Sequence, residues 1–467
     1  MVFSSPLFLF VYLPVVLLLF YLSPGKLRNP ILLIADLVFY GWGEPVYVLL
    51  MVFATVANYV FGYLIDRYRH SRPAVAKGCV AGAVAISVLS IGFFKYAGFL
   101  AGIYNAIPFL PDIAVPQIPL PIGISFYTFQ TMSYSIDVYR SDAPVQRSLV
   151  NFGVYVTLYP QLIAGPIVRY KDVAEQLDGH RAGADQFATG VRQFVIGLSK
   201  KVLLANQMGV LWDRLRPGAM ENGALAAWVG IIAYTFQIYF DFSGYSDMAC
   251  GLGNMLGFRF LKNFDYPYIS RSVTEFWRRW HISLSTWFRD YVYIPLGGNR
   301  VGRGRMFLNL FAVWFLTGLW HGASWNFILW GLYYFAALML EKLFLGKTLA
   351  RLPRFVQHAY TLLVIVLGWS LFYFDGGVGE CFAYLGAMFG RGRGLLAPAA
   401  VNTVVRFLPL LLVAAIASTP LGAKLWARIR KPRLAGCLEM ILCLIALILC
   451  TAALVSQSYN PFLYFKF

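Results

Sequence analysis

Charge is what this 467-residue sequence has least of. Asp, Glu, Lys and Arg make up 13% of it, about half the share usual in a soluble globular chain. With 59% apolar residues, that shortage excludes a disordered chain and does not describe an ordinary cytosolic enzyme. Acidic residues are the scarcer sign: 39 Lys and Arg against 21 Asp and Glu leave +18. In a soluble protein such an excess raises the question of nucleic acid. Here the bases lie between apolar runs, the pattern of cytoplasmic loops in a multispanning protein, and no nucleic-acid partner is expected. Cysteine is rare, and Cys79, Cys250, Cys381, Cys437, Cys443 and Cys450 contain no CxxC pair. That fits membrane-buried thiols and not a disulfide framework or zinc site. There are five histidines and no HxxxH, HxxH or Cys/His cluster, so no metal is expected. The first apolar run lacks a basic flank and a small-x-small cleavage site, so it reads as a retained membrane helix. No internal repeat is visible, which weakens a transporter assembled from inverted halves.

What is present is apolar length. Runs at 6–22, 46–64, 80–104, 226–242, 308–320, 326–340, 359–374, 407–418 and 435–454 approach or reach the roughly 20 residues that a membrane helix needs. Shorter, broken runs lie at 31–40, 118–132 and 150–168; Pro119, Pro121 and Gly123 interrupt one, and Pro160, Gly165 and Pro166 another. Irregular backbone at membrane depth persists only where protein or a water cavity satisfies it, so these segments are expected to line something. The fold class that follows is an all-α polytopic membrane protein, with about ten to twelve transmembrane or re-entrant helices. Lys26 and Arg28 form one basic loop, and Arg67, Arg69, Arg72 and Lys77 a second. Lys342, Lys347, Arg351 and Arg354 form a third, and Lys424, Arg428, Arg430, Lys431 and Arg433 a fourth. If these face the cytoplasm, both chain ends lie outside. Arg391 and Arg393 break that pattern.

The stretch 259–305 is different. It carries nine Arg or Lys residues interleaved with aromatics. Phe276, Trp280, Leu284 and Trp287 follow at spacings of four, four and three, which predicts one aromatic helix face. An interfacial helix with lipid-facing arginines explains this stretch. So does a basic cytoplasmic mouth that attracts a phosphorylated donor through Arg278, Arg279 or Arg289.

His70, His180 and His358 lie in polar or basic stretches, where a solvated loop histidine is the plain reading. His321 stands in Trp320-His-Gly-Ala-Ser-Trp325, between two apolar spans, and an ionisable residue there is a functional candidate. A structural histidine bonded to a neighbouring carbonyl competes with that reading. His281 lies in the aromatic stretch and is the second candidate. Desolvation keeps a buried imidazole neutral, able to take a proton from a bound hydroxyl. No G-x-S-x-G accompanies it, so direct attack of an acceptor hydroxyl on an activated acyl donor is simpler than a covalent triad. Asp241 and Asp247 flank Ser243 and Tyr245 at the end of an apolar span. They are either ordinary helix-end residues or a polar wall, as are Gln130, Gln161 and Asn326.

Six motifs in order carry a resemblance: Pro121-Ile-Gly-Ile-Ser-Phe-Tyr-Thr-Phe-Gln130, Tyr159-Pro-Gln-Leu-Ile-Ala-Gly-Pro-Ile-Val-Arg169, Phe240-Asp-Phe-Ser-Gly-Tyr-Ser-Asp247, Trp277-Arg-Arg-Trp-His-Ile-Ser283, Tyr293-Ile-Pro-Leu-Gly-Gly-Asn299 and Trp320-His-Gly-Ala-Ser-Trp325. Together they resemble the membrane-bound O-acyltransferases, and within them the bacterial alginate O-acetyltransferase type. The resemblance implies one integral membrane domain over 1–467, with a core at about 120–341 and flanking helices at 1–119 and 342–467. It implies helices ringed around a transmembrane tunnel, to which Trp320 and Trp325 also belong. His321 matches the family's near-invariant histidine and His281 its second position. The implied donor is a cytoplasmic thioester, acetyl-CoA, with no bound cofactor. The implied recipient is a periplasmic hydrolase-like partner of SGNH type within a polysaccharide-synthesis complex in the bacterial inner membrane. The ending Tyr459-Asn-Pro-Phe-Leu-Tyr-Phe-Lys-Phe467 resembles a Phe-x-Tyr-Phe-x-Phe element of this branch, for which Tyr464 would relay the acyl group. An interfacial aromatic anchor in lipid is the plainer reading of it. D-alanyl transfer to teichoic acid, peptidoglycan O-acyl transfer, a non-catalytic flippase and an envelope scaffold are the alternatives.

Overall fold

Apolar length becomes helix throughout the computed structural model. It describes residues 1–456 except 180–181, 375–376, 393, 396 and 430–431, and also residues 460, 462 and 463. His180, Arg393, Arg430, Lys431 and Tyr464 therefore lie outside the described residues. Among those described, eight helices are long and apolar enough to cross a membrane: Tyr47–Tyr68, Pro73–Asn105, Ala184–Leu215, Ala224–Met255, Trp325–Arg351, Arg354–Tyr373, Ala400–Ala417 and Arg433–Ser456. Phe8–Leu22 and Val378–Met388 are shorter apolar helices. The chain is a multi-pass membrane protein. Ala184–Leu215 was not among the expected spans, because Arg192, Lys200, Lys201 and Asn206 dilute its hydropathy. His358, expected in a loop, lies inside the helix Arg354–Tyr373, half-buried, with Nδ1 3.0 Å from the Ser270 carbonyl oxygen.

The described residues form two compact units. The first comprises Met1–Phe194 and Tyr245–Leu261 and holds the broken segments. Residues 158–168 are buried, and side chains satisfy their irregular backbone. Asp36 is fully buried and accepts from the Tyr159 N–H at 2.8 Å. Gln161 Nε2 donates to the Tyr155 carbonyl at 2.5 Å. Gly123 turns the chain with φ 77°, and a Cβ there would stand 2.6 Å from the Leu162 carbonyl oxygen. Gln130, Tyr245 and Asp247 belong to the same unit; Tyr245 stacks on Phe3 at 4.6 Å.

The second unit comprises Val195–Gly244 and Lys262–Phe467. Its expected continuous aromatic helix is two helices, Val273–Arg279 and Ile282–Phe288. They break at Trp280 and His281, where the chain takes φ 45°. Phe276, Trp280, Leu284 and Trp287 are nevertheless all buried. The Glu341 carboxylate holds the first helix in place. It accepts from the Val273 N–H at 2.6 Å, the Thr274 N–H at 2.9 Å and the Thr274 hydroxyl at 2.6 Å, so an anion meets the positive end of that helix. Helices Arg303–His321 and Trp325–Leu340 pack closely: a Cβ on Gly331 would lie 2.5 Å from the Trp314 carbonyl oxygen.

Candidate active site

His321 is the last residue of its helix, and its side chain turns inward, with the residue 7% exposed. Rings wall it on several sides. Trp320 stands 5.0 Å away, Trp330 5.1 Å and Phe372 5.1 Å between centroids, each edge-on. Such packing locks the imidazole in one rotamer. Two cavities meet at this ring. The larger holds about 710 Å³ and is lined by His321, His281, Trp277, Trp280, Trp314 and Thr317, among others. The smaller holds about 20 Å³ and is lined by His321, Trp280, Asp241, Phe242, Phe372 and Leu463, among others. His321 and Trp280 line both.

His281 stands on the larger cavity, and its tautomer can be read from its neighbours. The Ser283 backbone N–H, which can only donate, points at Asn263 Oδ1 at 3.1 Å. That identifies Oδ1 as the acceptor. The Ser283 hydroxyl donates to the same atom at 2.9 Å. His281 Nδ1 lies 3.2 Å from it and 3.4 Å from the Ser283 hydroxyl oxygen; the tautomer with the proton on Nδ1 makes the shorter of these two contacts a hydrogen bond and leaves the Nε2 lone pair as the acceptor of the neutral ring. Burial pushes this imidazole down to about 3, so it is neutral at pH 7. The αL backbone at His281 is strained for a residue with a Cβ, and the Asn263 contacts hold it. Trp320 links the two histidines: its ring is 6.1 Å from His281 and 5.0 Å from His321.

The remaining sequence candidates divide. Arg278 lines the larger cavity, together with Arg271 and Lys342, which were not among the expected donor contacts. Arg279 instead pairs with Glu275 at 3.0 Å and Asp265 at 3.1 Å. Arg289 is exposed and pairs with Asp290 at 2.7 Å. Neither lines either cavity. Asp241 lines the smaller one. Ser243 is buried on the same helix but lines neither. Asn326 Nδ2 donates to the Leu371 carbonyl at 3.4 Å, and Trp325 is 53% exposed. Gln130, Gln161, Tyr245 and Asp247 line neither cavity. Asn263 has no local signal in the sequence: it acts on a residue 18 positions away.

A buried imidazole that lines two cavities, the larger of them also lined by Arg271, Arg278 and Lys342, suits proton removal from a hydroxyl during acyl transfer. Residues 122–385 match the family model of the membrane-bound O-acyltransferases. The chain is 46% identical over 376 residues to the probable alginate O-acetylase AlgI of Pseudomonas aeruginosa, covering 80% of this chain and 72% of that one. It is 40% identical over 498 aligned residues, spanning both chains fully, to the probable alginate O-acetylase AlgI of Pseudomonas putida. To the peptidoglycan O-acetyltransferase of Helicobacter pylori it is 32% identical over 409 residues, 80% of this chain and 77% of that one. The family match spans the Trp277–Ser283 and Trp320–Trp325 motifs that the two cavities share, and the chain belongs to the membrane-bound O-acyltransferase family.

Proposed function

We propose that this chain sits in a bacterial inner membrane with both ends periplasmic. It takes an acetyl group from cytoplasmic acetyl-CoA and delivers it for O-acetylation of an exopolysaccharide of the alginate or cellulose kind. The observation that carries this reading is that His321 lines both cavities. Arg271, Arg278 and Lys342 give the larger cavity a positive mouth, where guanidinium forks suit the donor's phosphates. Trp277, Trp280, Leu284 and Trp314, also in its wall, give apolar surface suited to the thin, uncharged arm that carries the thioester. At His321 the imidazole takes the proton of an acceptor hydroxyl. The hydroxyl oxygen forms the new ester bond to the acetyl carbon, the carbon–sulfur bond breaks, and the departing thiolate is protonated. The acceptor in this reading is the Tyr464 phenol, whose preceding residue, Leu463, lines the smaller cavity. A periplasmic SGNH-type partner within the polysaccharide-synthesis complex then receives the acetyl group. The relatives named as alginate O-acetylases favour this polymer class over peptidoglycan or teichoic acid.

The test is acetyl transfer by purified protein in nanodiscs against acetyl-CoA concentration. Arg278→Gln with Lys342→Gln is expected to raise the half-saturating concentration about tenfold, since two exposed charge pairings at about 0.2–1 kcal/mol each sum to about the 1.4 kcal/mol of a tenfold change, with the plateau near wild type. A lowered plateau at unchanged half-saturation removes the phosphate mouth from this reading. Lipid anchoring by these residues predicts lost membrane integration instead. A second outcome follows from the tautomer. Asn263→Leu frees His281 to turn or switch tautomer and is expected to lose turnover about as much as His281→Ala. Asn263→Asp keeps an acceptor at Nδ1 and retains more. Equal activity in Asn263→Leu and wild type shows that the tautomer is immaterial.

A further inference from the structure

Among the described residues, Lys201 and Asp241 form a buried ion pair that the reaction above does not use. Lys201 Nζ lies 2.6 Å from Asp241 Oδ1, and both side chains are 3% exposed. Lys201 sits on a wider helical turn, Lys200–Ala205, inserted in the helix Ala184–Leu215. Such turns are frequent at functional sites. A charged pair in an apolar bundle is costly to desolvate and is weak evidence for stability, so its remaining contacts matter. The other carboxylate oxygen, Asp241 Oδ2, accepts from the Leu463 backbone N–H at 2.8 Å. Lys201 Nζ also donates to Asn206 Oδ1 at 2.9 Å, and Asn206 Nδ2 donates to Asn460 Oδ1 at 3.2 Å. The segment after the last helix is thus held at two points three residues apart, with Phe462 and Leu463 buried.

We infer that Lys201 and Asp241, with Asn206, form a receptor for the 460–463 segment. They act as positioning residues that hold Leu463 at the small cavity it lines with His321. The lysine fixes the carboxylate, and the carboxylate's second oxygen reads the main chain. The consequence for acetyl transfer rests on the relay reading of Tyr464; the receptor itself does not.

The test uses the full chain carrying Phe462→Cys, purified in detergent, with maleimide labelling of that cysteine followed by mass spectrometry of the last peptide. Labelling is expected to be slow. Adding Leu463→Pro removes the N–H and leaves the ion pair intact, and should speed labelling about tenfold, the worth of one hydrogen bond to a charged group. Leu463→Ala keeps the N–H and should label as slowly as the parent. Lys201→Met with Asp241→Leu removes the receptor without leaving a lone buried charge and should match Leu463→Pro. Equal labelling of the parent and Leu463→Pro overturns the receptor. Tyr464→Phe separates the two ideas: if it acetylates normally while labelling still responds to Leu463→Pro, the relay falls and the receptor stands. If labelling does not respond while Tyr464→Phe is inactive, the receptor falls and the relay stands.

Discussion

His321→Ala is expected to abolish polymer acetylation while the protein inserts and accumulates normally. A positioned general base contributes about 10²- to 10⁴-fold in rate, and among the described residues this imidazole alone combines a place on both cavities with that chemistry. The fold has supports that do not involve the imidazole. Its helix is held by the close approach of Gly331 to Trp314 and by a lattice of rings in which Trp277, Trp314, Trp330 and Tyr334 pack on one another. The measurement is acetyl content of the secreted polymer, with protein level by immunoblot and monodispersity in detergent. A mutant that accumulates and still acetylates removes His321 from the chemistry. That result is also what a flippase or a scaffold predicts.

Tyr464→Phe is expected to stop acetylation as completely. The substitution keeps the aromatic ring and most of its interfacial affinity, and deletes only the hydroxyl proposed to accept the acetyl group. An aromatic anchor in the interface would tolerate it almost unchanged. The geometry that favours the relay lies one residue upstream: Leu463 lines the small cavity with His321, and its N–H is bonded to Asp241. Full acetylation by Tyr464→Phe eliminates the relay. Trapping acetyl on Tyr464 in the absence of the periplasmic partner, by mass spectrometry of the last peptide, would support it directly.

The parts legible in the sequence were those with a local signature. An imidazole between two apolar runs identified His321, because charge-bearing groups at membrane depth stand out against their neighbours. Prolines and glycines at 150–168 marked irregular backbone that is buried and partly bonded by Asp36 and Gln161, whereas 124–132 in the other marked run is the start of the regular helix Ile124–Arg140. The break at Trp280 and His281 was hidden, because both halves keep aromatic residues at helical spacing while a distant Asn263 decides the local backbone. Lys201 was hidden for the opposite reason. A lysine inside a helix lowers its apparent hydropathy, so the span carrying it went uncounted, and its partner Asp241 is 40 residues away. Arg278, Arg279 and Arg289 could not be separated by spacing. Whether each meets Glu275, Asp265, Asp290 or open cavity is a matter of three-dimensional neighbours.

The small cavity beside His321 has one more effect. Its volume of about 20 Å³ is about what a single water molecule needs, and the surrounding walls are mostly aromatic. In the proposed reaction the thioester reaches His321 from the larger cavity, and the space on the other side of the ring has room for about one water, so few competing nucleophiles reach it from there. An idle enzyme should therefore leak little donor. Opening the wall at Phe372 would turn a transferase that waits for its acceptor into a slow thioesterase.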